Sequence, residues 1–401
     1  MLSSQRPGVR KQKKGMRDLE RRPLGGPKRK TGDRRNRIRL QHPTFCLPEY
    51  SGYKTLDGKN TSHPNSASFP LVLMSLLNKH VLVTGADGFI GSHLVEHLVR
   101  AGARVTALAQ YNSFNFWGWL EDVPSLDQIQ VVCGDIRDSH FCQTLLKNMD
   151  VVFHLAALIP IPYSYRAPDS YIETNIRGTL NICQAALSHG IEKIVHTSTS
   201  EVYGSAEYLP IDERHPLRAQ SPYSASKIGA DAMAISFKCS FGLPVVIARP
   251  FNTYGPRQSA RAVIPTIISQ IAAGTRKVKL GNLTTARDFT YVDDTCRGFL
   301  AVATLDSGEI FHIGSDAEIS VGELFKLIAD LMDSDAEIEI EPERQRAPDS
   351  EVLRLRCNSK KLRDVSGFRP EVSLPEGLRR TIDWFRDPNQ FRKYKSHLYN
   401  V

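Results

Sequence analysis

The sequence predicts an α/β fold: a doubly wound parallel sheet covered by helices on both faces, joined to a smaller α+β lobe. Two observations support this prediction. Short β-rich runs alternate with helical stretches between Lys79 and Pro250, and such alternation is typical of βαβ units. A glycine-rich turn joins the first predicted strand to the first predicted helix. After Pro250 the alternation loosens and loop signals increase, which indicates the second lobe.

The predicted elements follow one another in regular order. The first strand is the short β-rich run KHVLVT at residues 79–84, and residues 89–101 carry Ile90, Leu94 and Leu98 at helical spacing. Further predicted strands cover residues 104–108, 129–133, 151–155, 193–197 and 244–249. Further predicted helices cover about residues 170–189 and 224–241.

Charge divides the chain into a leader and a body. Residues 1–40 carry a local charge of +12 and residues 41–73 are neutral, whereas the 401-residue chain carries +9, so the body is mildly acidic. Residues 1–77 are therefore predicted to be a basic, disordered leader, and we expect translation to start at Met74. We expect a dinucleotide-binding domain over residues 78–250 with part of 281–303, and mainly a substrate lobe over residues 251–401.

Composition excludes several classes of protein. With 41% hydrophobic and 24% charged residues, the chain does not resemble a disordered or collagen-like protein. No apolar run reaches the roughly 18 residues of a membrane span, so no membrane partner is expected. Seven scattered cysteines without a Cys-x-x-Cys pair favour a reducing compartment, the cytoplasm, and predict neither disulfides nor a metal site. A nucleic-acid partner is not expected, because the basic residues are concentrated in the leader.

The glycine-rich turn is the first candidate site. It consists of Gly85-Ala86-Asp87-Gly88-Phe89-Ile90-Gly91. Glycines at such a turn let the backbone approach a pyrophosphate, and the helix N-terminus offers free N–H groups to it. We therefore predict a dinucleotide site, although a tight turn between strand and helix would by itself need no ligand.

The ends of the next two strands bear on which dinucleotide binds. An acid that binds the adenosine ribose is expected after the second strand, but Ala109 and Gln110 occupy that place. This neutral end neither repels nor attracts a 2′-phosphate, so it does not distinguish NAD from NADP. Asp135, after the third strand, is either an acceptor for the adenine amino group or a plain turn residue.

Tyr223 and Lys227 are the candidate redox pair. They lie four residues apart at the start of a predicted helix, so their side chains share one face. A nearby ammonium stabilises a phenolate, and we expect Lys227 to bring the pKa of Tyr223 closer to neutrality. Such a tyrosine can remove a hydroxyl proton while a nicotinamide takes hydride from the same carbon.

Thr199, Ser200 and Glu201 follow the fifth predicted strand. The carboxyl ends of strands face the ligand crevice in a doubly wound sheet, so these hydroxyl groups can bind a substrate oxygen. Alcohol oxidation needs only the tyrosine and the lysine. Glu201 therefore indicates a second proton transfer, at the carbon next to the new ketone, unless it is a solvated loop carboxylate.

From Lys79 to about Phe385 the chain resembles the extended short-chain dehydrogenase/reductase superfamily, which has a Rossmann fold, and in particular its nucleotide-sugar epimerases and dehydratases. The motifs are VTGADGFIGSHL, HLAA, TSTSEVYG, SPYSASK, RPFNTYGP and RDFTYVDD. Thr199-Ser200-Glu201 is similar to the triad of sugar-nucleotide 4,6-dehydratases. The segment YNSFNFWGWL, at residues 111–120, is most similar to dehydratases of the legionaminic acid pathway, which act on a nucleotide-linked N-acetylglucosamine.

The resemblance implies a dehydration that regenerates its NAD. Thr199 and Ser200 bind the substrate O4, and Tyr223 removes the O4 proton as hydride passes from C4 to NAD. Glu201 takes the C5 proton, water leaves from C6, and the hydride returns to C6 of a 4-keto-6-deoxy product. Because some relatives have an acid where this chain has Ser200, Glu201 is expected to carry both proton transfers.

The resemblance also implies binding residues and partners. The cofactor contacts are the glycine turn, Gln110, Asp135, Ile136, Leu155, Ala156, Ala157, Tyr223 and Lys227. The substrate contacts are Asn252, Arg257, Arg261, Arg287 and Arg346, and guanidinium groups suit a diphosphate. The expected partners are a nucleotide-sugar substrate and a second copy of the chain, paired through the helices that contain residues 170–189 and Tyr223.

Two alternatives stay open at this point. One is another reaction on the same scaffold, either 4-epimerisation or decarboxylation of UDP-glucuronate, because the decarboxylases also carry Thr-Ser-Glu. The other is a non-catalytic dinucleotide-binding or RNA-binding protein that uses the basic leader.

Overall fold

The computed structural model describes residues 74–399. The predicted leader, residues 1–77, lies outside the described residues except for its last four. Across residues 74–399, no helix combines the length and the apolar character that a bilayer crossing requires.

The strands match the prediction closely. They are β1 His80–Thr84, β2 Arg104–Gln110, β3 Gln130–Gly134, β4 Val151–His154, β5 Lys193–Thr197, β6 Val245–Pro250, β7 Asn252–Tyr254, β8 Lys277–Leu280, β9 Ala286–Arg287, β10 Phe289–Tyr291, β11 Ile310–Ile313, β12 Ile319–Ser320, β13 Glu337–Ile340 and β14 Arg354–Leu355. The six predicted strands are confirmed to within two residues at each end.

Seven of these strands form one parallel sheet in the order β11-β6-β5-β4-β1-β2-β3. The predicted doubly wound sheet is therefore confirmed. The strand order reverses between β1 and β4, and a crevice opens beyond the carboxyl ends of the strands at such a point. The loops that follow β1 and β4 therefore define where a ligand binds.

Helices cover both faces of the sheet. They are α1 Phe89–Arg100, α2 Ser139–Leu145, α3 Ile161–Arg166, α4 Pro168–Tyr171, α5 Gly178–His189, α6 Pro222–Phe241, α7 Val263–Ala272, α8 Val292–Ala303, α9 Val321–Leu331, α10 Lys360–Ser366, α11 Leu374–Arg386 and α12 Pro388–Phe391. Side chains alternate between the two faces along a strand. In β1, Val81 and Val83 join one hydrophobic cluster and Leu82 joins the other.

The predicted helix at residues 170–189 is interrupted in the structure. Residues Ile172–Arg177 form a π-helical segment between α4 and α5. Within this segment, Asn175 accepts a hydrogen bond from Leu158 N at 2.8 Å and donates one to Ser226 Oγ at 2.8 Å. A π turn inserts a residue and often lies at a functional site. Hydrophobic spacing could not reveal the insertion, because its register depends on these tertiary contacts.

The chain after Pro250, which the sequence assigns mainly to a second lobe, is interleaved with the main sheet. Residues 281–303 are the range that we expected to rejoin the first domain. Strand β11 comes after that range in the chain, yet it pairs with β6 and completes the sheet. Helix α8 falls within that range and packs on α1. The remaining strands form small sheets: β7 with β10, β8 with β13, and β9 between β12 and β14.

Asp294 on α8 fixes the segment that leads into α11. Its Oδ2 accepts hydrogen bonds from Glu371 N at 3.0 Å and Val372 N at 2.9 Å, and its Oδ1 accepts one from Arg297. We expect Asp294→Ala to lower the free energy of unfolding by about 3 kcal/mol, because two partly buried N–H groups lose their charged acceptor. Urea unfolding measures this change.

The control is Asp330→Ala, which removes an exposed carboxylate from α9. It should change the free energy of unfolding by less than about 0.5 kcal/mol. Equal effects of the two substitutions would contradict the role given to Asp294.

Candidate active site

The glycine turn after β1 is held tightly against the loop after β4. Gly85 has a φ of +66°, and a Cβ at this position would lie 2.8 Å from Ala156 N. A Cβ at Gly91 would lie 2.1 Å from Gly85 O. Helix α1 begins after Gly88, and no side chain caps its N-terminus. Its first N–H groups, including those of Phe89 and Ile90, therefore remain for an anion.

Two predicted cofactor residues meet at the end of β2. Asp87 Oδ2 accepts a hydrogen bond from Gln110 N at 3.0 Å. Burial raises the pKa of Asp87, and the bond from Gln110 opposes that rise. The glycine turn thus brings a carboxylate to a strand end that itself carries no acid.

The end of β3 carries an ion pair. Asp135 accepts hydrogen bonds from Arg137 Nε at 3.0 and 2.9 Å and from Nη2 at 2.5 Å, and the bonds from Arg137 lower its pKa. Adenine would have to share this carboxylate with Arg137. The next residue, Ile136, is buried and lies where a Cβ at Gly178 would collide with it.

The loop after β4 is fixed by a buried threonine. Thr84 Oγ1 accepts hydrogen bonds from Leu155 N and Ala156 N, both at 3.1 Å, and lies 2.8 Å from His154 Nδ1. Asn175 holds the same loop from the other side. Leu155, Ala156 and Ala157 therefore border the crevice between β1 and β4, opposite the glycine turn.

Tyr223 and Lys227 lie in the first turns of α6. Ser221 caps this helix and exchanges hydrogen bonds with Ser224 in a capping box. Both site residues are buried, and Lys227 Nζ donates a hydrogen bond to Thr197 O at 2.6 Å. The lysine is thus anchored to the carboxyl end of β5, where the predicted substrate-binding hydroxyl groups begin.

The electrostatics of this pair differ from the expectation. Burial raises the pKa of Tyr223; a hydrogen bond with Thr199 opposes the rise, and the charge of Glu201 adds to it. Burial lowers the pKa of Lys227 to about 8, although Asp231 favours its charged form. Burial therefore moves the pKa of Tyr223 in the direction opposite to the expectation.

Glu201 lies beside the tyrosine. Residues Ser200–Tyr203 form a 3₁₀ turn, and Thr199 Oγ1 accepts a hydrogen bond from Glu201 N at 3.3 Å. The half-buried Glu201 carboxylate acts electrostatically on both Tyr223 and Arg287, while Ser200 is buried. The structure therefore brings Thr199, Glu201 and Tyr223 together, as their positions after β5 and at the start of α6 predicted.

Arg287 and Arg346 share one carboxylate. Their guanidinium groups lie 3.9 and 3.8 Å from Glu351 Oε1. Burial lowers the pKa of Arg287. Arg346 Nη1 is buried and has no hydrogen-bond partner within residues 74–399. Two cations that are only loosely paired with one acid can still bind a further anion.

A cavity opens beside Glu351. It has a volume of about 460 Å³ and is also lined by Ser205, Gln220 and Asp349. Gln220 bridges its two walls, because its amide donates to Asp349 O at 2.8 Å and accepts from Ser205 N. The cavity therefore lies between the segment that follows Glu201 and the second lobe.

The two other predicted arginines have different surroundings. Arg257 has a φ of +68°, and its guanidinium lies 2.7 Å from Glu96 Oε1 and 3.3 Å from Ser92 Oγ, both on α1. Arg257 therefore pairs with α1, and its place in the diphosphate pocket stays a prediction. Arg261 is exposed and lines a cavity of about 240 Å³ with Tyr163 and residues 157–160.

A buried polar network below the site escaped the sequence analysis. Asp231, one turn after Lys227 on α6, lies 3.0 Å from His196 Nε2, 2.5 Å from Ser198 Oγ and 2.7 Å from Arg249 Nη2. Asn175 also escaped it. In the sequence, Asp231 is visible only as an acid four residues after Lys227, and Arg249 only as the first residue of RPFNTYGP. Neither position indicates that the two side chains are in contact.

The crevice fits a dinucleotide and a second ligand. The glycine turn leaves no room for a side chain, and the N-terminus of α1 is uncapped. Two buried oxygens at strand ends, Thr197 Oγ1 and Asn252 Oδ1, have no hydrogen-bond partner in the described part of the chain. Buried polar atoms are rarely left unpaired, and these two oxygens lie close to the carboxyl ends of β5 and β6, where ligands bind in a doubly wound sheet.

Comparison with known proteins agrees with this geometry. A family model described as GDP-mannose 4,6 dehydratase matches residues 82–381. A dTDP-glucose 4,6-dehydratase of Streptomyces antibioticus is 36% identical over 313 residues, which are 77% of this chain and 92% of the relative.

Two solved structures are also similar. A dTDP-glucose 4,6-dehydratase of Streptomyces venezuelae, solved with NAD bound, has a TM-score of 0.70 at 33% identity and covers 77% of this chain and 98% of its own. An epimerase of Methanothermobacter thermautotrophicus has a TM-score of 0.75 at 30% identity and covers 82% of this chain and 99% of its own.

Gly85→Ala tests the close approach at the glycine turn. The added methyl group collides with the backbone at Ala156, so the turn must move away. The dinucleotide then loses its backbone contacts with the turn. We expect the affinity for NADH to fall by at least about 10-fold, a loss of about 1.4 kcal/mol. Fluorescence titration with NADH measures it.

The matched control is Gly190→Ala. Gly190 has nearly the same φ, +65°, but a Cβ there meets nothing within 4 Å. Both variants carry the backbone strain of a left-handed alanine, about 1–2 kcal/mol, whereas only Gly85→Ala should lose NADH binding. Equal affinities would show that the turn does not hold the cofactor.

Proposed function

Because this chain belongs to the GDP-mannose 4,6-dehydratase family, we propose that it is an NAD-dependent 4,6-dehydratase of a nucleotide-activated hexose. The observation that carries the proposal is the grouping of Glu201 with Thr199 and Tyr223. An alcohol oxidation alone would not need that carboxylate. A carboxylate next to the redox tyrosine suits proton removal from the carbon beside a 4-ketone.

The first step is oxidation at C4. Thr199 and Ser200 hold the substrate O4, and Tyr223 removes its proton. The phenolate form of Tyr223 accepts that proton, and Lys227, whose pKa is lowered to about 8 by burial, stabilises this phenolate by its positive charge while the lysine is protonated. The glycine turn and the N-terminus of α1 would hold NAD, which would supply the acceptor for the C4 hydride and the donor for its return to C6.

The second step is elimination. The 4-ketone acidifies the C5 proton, and Glu201 removes it. The C6 hydroxyl leaves with that proton as water, because Ser200 is a poor acid and Glu201 must serve as both base and acid. Hydride then adds at C6, and C5 takes up a proton that balances the one Tyr223 removed from O4, so the only net change is loss of one water molecule.

Arg287 and Arg346 are proposed to bind the diphosphate of the substrate. Their support is the loose pairing with Glu351 and the unpartnered Arg346 Nη1. We further propose N-acetylglucosamine as the hexose, on the sequence similarity of residues 111–120. Incubation with UDP-, GDP- and dTDP-linked hexoses, followed by mass spectrometry of the products, tests both the sugar and the nucleotide.

A 4-epimerase is the second candidate, favoured by the similarity to the methanogen epimerase. The same mass measurement separates the reactions. Dehydration removes water, epimerisation leaves the mass unchanged, and decarboxylation of a uronate releases carbon dioxide.

Glu201→Gln tests the elimination step. We expect the rate of 4-keto-6-deoxy product formation to fall by at least about 100-fold, while C4 oxidation, seen as transient NADH absorbance with substrate, persists. In deuterated water the native protein should give a product labelled at C5. Mass spectrometry and NMR measure both effects.

Glu207→Gln is the control, since Glu207 is an exposed glutamate later in the same segment. It should keep the native rate. Normal product formation by Glu201→Gln would overturn the assignment, and loss of both C4 oxidation and elimination in that variant would contradict separate roles for Glu201 and Tyr223.

We also propose a homodimer built on the π-helical segment and helices α5 and α6. Ile172, Leu187 and Phe241 lie on these elements and are 50%, 40% and 58% exposed, and pairing through these elements, which the resemblance implies, would cover them. Sedimentation equilibrium should give twice the chain mass, and Leu187→Glu should shift the protein toward monomer. A native protein that sediments as a monomer contradicts this part of the proposal.

A further inference from the structure

Strand β2 ends without the acid that usually binds the adenosine ribose. In dinucleotide-binding folds that acid accepts a hydrogen bond from the ribose 2′-hydroxyl. Gln110 occupies the end of β2 in this chain. A neutral residue there leaves the choice between NAD and NADP to other groups nearby.

The structure brings a carboxylate to this place from another element. Asp87 belongs to the glycine turn, and its Oδ2 accepts the backbone N–H of Gln110 at 3.0 Å. Its own backbone carbonyl accepts Trp119 N at 3.0 Å, and a Cβ at Gly118 would lie 2.5 Å from that carbonyl oxygen. The turn, the end of β2 and the segment after β2 therefore hold the carboxylate in position.

The neighbouring charges leave Asp87 without a cation. No Lys or Arg side chain within residues 74–399 forms an ion pair with Asp87. Across the β2–β3 pair, the Arg137 guanidinium is bonded to Asp135. A phosphate added at the ribose 2′ position would thus meet a carboxylate, and the arginine at the end of β3 is already engaged.

We propose that Asp87 takes the place of the missing β2 acid and selects NAD over NADP. The carboxylate accepts the ribose 2′-hydroxyl through its remaining lone pairs, and it repels a 2′-phosphate. The selectivity residue therefore lies in the phosphate-binding turn rather than at the strand end. This inference concerns only the cofactor and does not depend on which sugar is bound or on the elimination step.

The test is direct binding of reduced dinucleotides, without any sugar substrate. We expect the native protein to bind NADH at least about 100-fold more tightly than NADPH, because one form gains a charged hydrogen bond and the other meets like charges. Asp87→Asn keeps an acceptor for Gln110 N but removes the charge. It should reduce the ratio of the two dissociation constants by at least about 10-fold.

Asp87→Ser provides a second variant with a smaller, neutral side chain, and thermal unfolding verifies that each variant is folded. Asp127→Asn is the control, because it removes one exposed negative charge from the segment between β2 and β3. It should leave the ratio unchanged.

The proposal is overturned by equal affinity of the native protein for NADH and NADPH. It is overturned equally by folded Asp87 variants that keep the native ratio. Because no turnover is measured, failure here is distinguishable from failure of the Glu201→Gln prediction, which leaves dinucleotide affinity untouched.

Discussion

The buried ion pair between Asp231 and Arg249 holds the reaction centre together. Asp231 lies on α6 and Arg249 on β6, and their charged atoms approach to 2.7 Å. His196 and Ser198, at the end of β5, bond the same carboxylate. Removing one member of such a pair leaves an uncompensated charge in the interior and costs about 3–5 kcal/mol. The pair therefore constrains three elements that each supply part of the site.

This constraint places the reactive side chains. Helix α6 carries Tyr223 two turns and Lys227 one turn before Asp231, while Thr199 and Glu201 follow β5 directly. Because Asp231 ties the helix to the strand end, the phenol and the carboxylate face a common space. The same burial that fixes these groups raises the pKa of Tyr223 and lowers that of Lys227. The fixed positions of these side chains and the shifted pKa values of Tyr223 and Lys227 thus have one cause, the exclusion of water from this part of the molecule.

The sequence analysis was accurate where local patterns decide the outcome. Strands such as residues 193–197 were located closely because buried strands are short apolar runs between turn signals. The π-helical interruption before α5 was missed, since Asn175 takes its place through contacts with Leu158 and Ser226. The surroundings of Arg257 were also missed, because its partner Glu96 lies 161 positions earlier in the chain. Local spacing patterns cannot predict a contact between residues that are so far apart in the chain.

The order and chemical type of the residues were determined by the sequence alone: a glycine turn after the first strand, hydroxyl groups and an acid after the fifth, and a tyrosine and a lysine four positions apart on a helix. Only the tertiary structure decided which of them meet, and with what charge. Asp87 reaches the end of β2, Arg346 is left loosely paired beside Glu351, and the tyrosine pKa rises. These outcomes depend on distances across the sheet and on exclusion of water, and neither quantity is local in the chain.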